Sequence, residues 1–97
     1  RDHVYIKDVV KANLLAMDAK ESGIYNVGSG RATSFNDIIK NLNEALKTNF
    51  EPDYINNPYK FYQNYTKADL SESEKYLNYF PEYDIKKGIS DYIRWKF

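Results

Sequence analysis

The chain has 97 residues, one domain's worth near the lower end of the usual range, so only a modest core can be buried. Lys plus Arg and Asp plus Glu both number 14, which leaves no charge field for nucleic acid or an anionic membrane surface. The absence of cysteine excludes disulfides, thiolate catalysis and cysteine-ligated zinc; with no apolar run approaching a membrane span, a soluble, cytoplasmic protein is expected.

His3 to Lys7 alternates polar and apolar side chains and predicts a short strand, with Asp8 as the N-cap of a helix over 9–20. On that helix Val10, Leu14 and Met17 recur at helical spacing, Ala12 and Leu15 widen the stripe, and Gly23 is the expected left-handed terminator. Gly23 to Val27 reads as a second strand, closed by the Gly28-Ser29-Gly30 turn. Phe35, Ile38, Ile39, Leu42 and Leu46 mark the clearest helix, with Ser34 and Asp37 as a capping pair. Glu51 to Ile55 is extended and leads into the Asn56-Asn57-Pro58 turn. Tyr59 to Asp69 carries no helical stripe and is expected to be irregular, with a short strand over 63–66. Ser71 and Glu74 form a capping-box pattern before a short helix ended by Phe80-Pro81, and a last helix starts at Asp84 with Ile85, Ile89, Tyr92 and Ile93 along one face. The expected order is β-α-β-α-β-β-α-α, a mixed α/β unit.

No glycine-rich phosphate loop, nucleophile elbow or histidine pair at metal-ligand spacing is present, so the residues alone reveal no catalytic centre. His3, the only histidine, reads as a packed residue rather than a catalyst. The Gly28-Ser29-Gly30-Arg31 turn could cradle an anion on its amides or serve only as a turn. Asp69 is a cap or a turn former. Arg1 suits a diphosphate, because a guanidinium offers parallel donors to phosphate oxygens, but on the residues alone it reads first as a surface ion pair with Asp2.

The run Arg1-Asp2-His3-Val4-Tyr5-Ile6-Lys7-Asp8 resembles a motif of the extended short-chain dehydrogenases/reductases, the nucleotide-sugar epimerases and dehydratases. Gly23 to Gly30 and Ser34-Phe35 are similar to segments of the same superfamily in the same order. Tyr62-Gln63-Asn64-Tyr65-Thr66-Lys67-Ala68-Asp69-Leu70 and the closing Gly88-Ile89-Ser90-Asp91-Tyr92-Ile93-Arg94-Trp95 more specifically resemble the ADP-L-glycero-D-manno-heptose 6-epimerases. His3 departs from the motif, where an aromatic hydrocarbon ring is usual, and so does Phe61, where some members carry arginine.

The resemblance implies the C-terminal substrate-binding portion of a Rossmann-type protein roughly three times as long, residues 1–97 forming that portion alone and the chain therefore starting mid-protein. It further implies NADP-dependent epimerisation of ADP-D-glycero-D-manno-heptose to the L-glycero isomer, by transient oxidation and re-reduction, for lipopolysaccharide core synthesis. Arg1 and Tyr62 match the family's nucleotide-sugar contacts, while the catalytic and NADP-binding residues would lie in an N-terminal Rossmann half outside this chain, so this portion alone would be inactive. The same resemblance suggests a homo-oligomer of the whole protein, a pentamer being one arrangement. Another nucleotide-sugar epimerase or 4,6-dehydratase, or a free-standing non-catalytic binding module, is the alternative.

Overall fold

In the computed structural model, which describes residues 1–97, helix formation starts earlier than the sequence pattern suggests. The first helix, α1, spans Ile6–Met17, with Tyr5 as its extended N-cap. Asp8 is therefore not the cap: it sits in the first turn, buried, and its carboxylate accepts the backbone N–H groups of Glu82 and Tyr83, both at 3.0 Å. α1 ends at Asp18, and Gly23 does not adopt a left-handed conformation. α2 spans Phe35–Leu46 as expected, with the Ser34 hydroxyl accepting the Asp37 amide at 3.1 Å and Lys47 closing the helix in the left-handed region.

α3 covers Ser71–Leu77, but the Ser71/Glu74 capping box does not form. Leu70 holds the N-cap position, while Asp69 accepts the Ser71 amide and hydroxyl at 3.0 and 2.7 Å. Left-handed Asn78 ends α3, three residues before Pro81. α4, Ile85–Lys96, is capped by Asp84, whose carboxylate accepts the Lys87 amide at 2.8 Å.

The expected strands are the main correction. Residues 23–27, 51–55 and 63–66 are irregular, the stretch from His3 runs directly into α1, and the sole β pairing is an isolated antiparallel bridge between Asp2 and Ala32. A β-run becomes a strand only when a partner supplies the ladder, and these segments have no such partner in the chain. The architecture is thus four helices joined by extended segments.

α2 packs along α4, and α1 meets α3. The core is small: Ala12, Leu70, Leu77 and the fully buried Tyr79, with Leu15, Ala19, Tyr25 and Ala68 packed against them. Tyr5 and Lys7 tie the start of α1 to α4 by donating to Asp91 at 2.7 Å each. At 100° per residue, the core-facing Asp8, Ala12 and Leu15 lie roughly opposite, about 180° from, Ile6, Val10, Leu14 and Met17. That second, apolar stripe is exposed, 51% at Val10 rising to 81% at Met17. The stripe most visible in the sequence therefore faces away from this core. No helix is long and apolar enough to cross a membrane.

Candidate functional site

Arg1 is held by its backbone. Its carbonyl accepts the Thr33 amide at 2.8 Å, and its amino nitrogen donates to the Thr33 carbonyl at 3.1 Å, flanking the bridge at Asp2. In an extended segment successive side chains point to opposite sides, so Arg1 and Asp2 diverge and form no ion pair. The Arg1 guanidinium instead lies over the ring of Tyr62, 4.8 Å from its centroid. The two residues singled out from the sequence, 61 positions apart, thus meet directly. No guanidinium N–H of Arg1 has a protein acceptor, and the Tyr62 hydroxyl has no protein partner. Tyr62 is 44% exposed, so the pair presents unused donors to its surroundings.

Asp2 turns inward. Its Oδ1 accepts the Ser29 amide and hydroxyl at 2.8 and 2.6 Å, and its Oδ2 accepts the Gly30 and Ala68 amides, both at 3.0 Å. Burial pushes the carboxyl pKa up, but the Ser29 hydroxyl and the three amides outweigh it and hold the group below its ordinary value. The possible anion cradle of the glycine turn is consequently filled by the protein's own carboxylate. Its glycines are required there: a Cβ on Gly28 would come within 2.6 Å of the Ala68 Cβ and 2.8 Å of Asp2 Oδ2, and Gly30 has φ +72°. With those amides engaged, these residues do not fit the pyrophosphate of a dinucleotide, and no cofactor site is assigned to them.

Beneath the junction, the Tyr79 hydroxyl donates to the Gly28 carbonyl at 2.8 Å. Burial, reinforced by the negative charges of Asp8 and Asp2, pushes its pKa up to about 12. His3 stacks edge-on against Phe35, with centroids 5.5 Å apart, as a packed side chain. Phe61 points outward, 93% exposed. No three carboxylate, histidine or cysteine side chains converge as metal ligands. The depression next to the junction, about 680 Å³ and bordered by Arg31, Lys67 and Glu74, includes neither Arg1 nor Tyr62. Reading the sequence missed Thr66 and Ala68 as partners of Asp2. Both lie in the Tyr62 to Leu70 motif, which was the available signal.

No family model matches the chain. Among solved structures, the Helicobacter pylori ADP-L-glycero-D-manno-heptose-6-epimerase is 45% identical with a TM-score of 0.86, over 97% of this chain and 29% of its own. UDP-glucose 4-epimerase from Thermotoga maritima, solved with UDP-glucose, is 34% identical with a TM-score of 0.84, over 97% of this chain and 31% of its own. A UDP-glucuronic acid 4-epimerase variant from Bacillus cereus, in complex with UDP-4-deoxy-4-fluoro-glucuronic acid and NAD, is alike in fold alone: 24% identity, TM-score 0.85, over 100% of this chain and 32% of its own. The chain therefore spans about three-tenths of the length of each of these structures. Its fold matches that part of the extended short-chain dehydrogenase/reductase epimerases, and its structural neighbours act on nucleotide-sugars.

Proposed function

We propose that these 97 residues are the substrate-binding portion of a nucleotide-sugar epimerase that converts ADP-D-glycero-D-manno-heptose to its L-glycero isomer, with Arg1 and Tyr62 contacting the ADP-sugar. The observation that carries this reading is the stack of Arg1 on Tyr62, whose guanidinium donors and hydroxyl are unused within the chain. A planar cation beside a neutral hydroxyl is suited to a diphosphate joined to a polyhydroxylated sugar. The 45% identity to a heptose epimerase, together with the Tyr62 to Leu70 motif, favours ADP-heptose over UDP-glucose.

The rest of the machinery belongs to a Rossmann half that would cover the exposed stripe of α1. A nicotinamide cofactor bound to that half, NADP by the sequence resemblance, would supply the transient oxidation and re-reduction. Residues 1–97 alone accordingly neither turn over the sugar nor retain NADP. Stoichiometric NADP on the purified fragment would contradict this division of labour.

Kinetics of the full-length protein on ADP-heptose and UDP-glucose test the reading. ADP-heptose is the expected substrate, and activity on UDP-glucose alone would transfer the assignment to a 4-epimerase. Arg1→Ala should raise KM about tenfold to a hundredfold, the effect of losing about 1.5–3 kcal/mol of charge-assisted hydrogen bonding. Tyr62→Phe keeps the stacked ring and should lose only about 0.5–1.5 kcal/mol. Because neither residue is assigned to hydride transfer, kcat should be spared. An unchanged KM in Arg1→Ala would overturn the residue assignment.

A further inference from the structure

We propose that Asp2 is a positioning residue that sets the spacing of Arg1 and Tyr62, and with it the affinity for the nucleotide-sugar. The inference rests on the substrate-binding reading of that pair.

The first observation concerns the loop carrying Tyr62. From Lys60 to Ala68 there is no regular structure, and only two hydrogen bonds join this stretch to the rest of the protein. Both end on Asp2: its amide donates to Thr66 Oγ1 at 3.1 Å, and its Oδ2 accepts the Ala68 amide at 3.0 Å. The second observation concerns Arg1, which is the chain neighbour of Asp2 and has no side-chain hydrogen bond or ion pair of its own. Its guanidinium is located by the backbone at residues 1–2 and by the Tyr62 ring. One residue therefore fixes both halves of the pair, Arg1 through the chain and Tyr62 through its loop.

The junction has little room to adapt. The same carboxylate is gripped by Ser29 and Gly30, and the Gly28 backbone approaches so closely that a Cβ there would lie within 2.8 Å of Asp2 Oδ2. An amide in place of the carboxylate would turn an NH2 group toward either the Ser29 donors or the Gly30 and Ala68 amides. Two donors would then face each other, and the loop or the turn must move.

The test compares Asp2→Asn, Arg1→Ala, the double variant and Asp8→Asn in the full-length enzyme. Asp8 is the control: its buried carboxylate likewise accepts backbone amides, two of them, but those belong to Glu82 and Tyr83, in a different segment from the pair. Asp2→Asn should raise KM about tenfold with little change in kcat, and in the Arg1→Ala background it should raise KM by clearly less than tenfold, since only the Tyr62 contact is then left for Asp2 to place. Asp8→Asn should lower Tm without raising KM. If Arg1→Ala raises KM but Asp2→Asn leaves it unchanged, adds fully to Arg1→Ala, or is matched by Asp8→Asn, the positioning role is wrong while the substrate reading stands. If Arg1→Ala leaves KM unchanged, both fall.

Discussion

Asp2 and Asp8 accept backbone amides where a reading of the sequence expects an ion pair and a helix cap. A carboxylate with several N–H donors can remain charged out of water, and it fixes whichever segments supply those donors. Asp2 accepts four hydrogen bonds, three from backbone amides and one from the Ser29 hydroxyl, so protonating it weakens the fold. Asp91 is likewise held low by hydrogen bonds from Lys7 and Tyr5, and Glu82 by its bond from Lys11. Each of these folded-state values lies below the unfolded one, so their stabilisation is complete above the ordinary carboxylate range and disappears as pH falls through the depressed values. Melts should therefore lose Tm below about pH 4, with Asp2→Asn flattening that decline; a flat profile would contradict the geometry. Tyr79 has the opposite sign, since its folded pKa is raised from 10.0 to about 12. Its contribution is complete below pH 10 and is lost as pH rises toward 12, an alkaline loss of stability that Tyr79→Phe should reduce. Gly28→Ala should destabilise by about 1–3 kcal/mol through overpacking against Ala68 and Asp2, measurable by urea unfolding. Arg1 and Tyr62 were each legible because the motifs carry them, but their direct contact was not, since it spans 61 positions of chain. The role of Asp2 was not, since adjacency in sequence says nothing about two side chains that point to opposite sides of an extended backbone.

Helix caps are local, and locality made them readable. Ser34 and Asp84 each accept an amide three residues on, a contact within reach of the sequence window that suggests it. Asp84→Ala should lower stability by about 1 kcal/mol and fray the start of α4, and a variant with unchanged Tm would show that packing against α2 alone sustains the helix. Asp8 was misread because an aspartate is as favourable in the first turn as before it, and the preceding alternation from His3 to Lys7 fits both a strand end and a helix start. The strands failed for the converse reason. Residues 23–27 and 63–66 have the composition of β-runs, but a ladder depends on a partner that composition cannot reveal. α1 adds a subtler case, because it has two apolar faces. The sequence displays the larger side chains of Val10, Leu14 and Met17, whereas the chain's own core takes Ala12 and Leu15.

That second face acquires meaning at the scale of the whole molecule. A compact monomer of 11.4 kDa is expected to expose about 5,800 Å² and to have a radius of gyration of about 12.5 Å. This chain exposes 7980 Å² and has a radius of gyration of 15.9 Å, in a slab only 16 Å thick along its shortest axis. The excess, about 2,200 Å², is on the scale of a substantial protein interface. The α1 stripe is one apolar part of that surface, the part a Rossmann half would cover under the proposed function, and it makes residues 1–97 alone prone to self-association. Sedimentation of residues 1–97 should accordingly reveal concentration-dependent association, and Leu14→Lys should reduce it while leaving helical circular dichroism intact, because Leu14 is 59% exposed and outside the core. The same site gives opposite results in the two contexts. In the fragment Leu14→Ala should change stability by no more than about 0.5 kcal/mol, as at other surface positions. In the full-length protein it should cost about 2–5 kcal/mol, as when a buried leucine is truncated. Equal and small effects in both would mean that α1 faces water in the whole protein too, and that the excess surface is covered elsewhere or not at all.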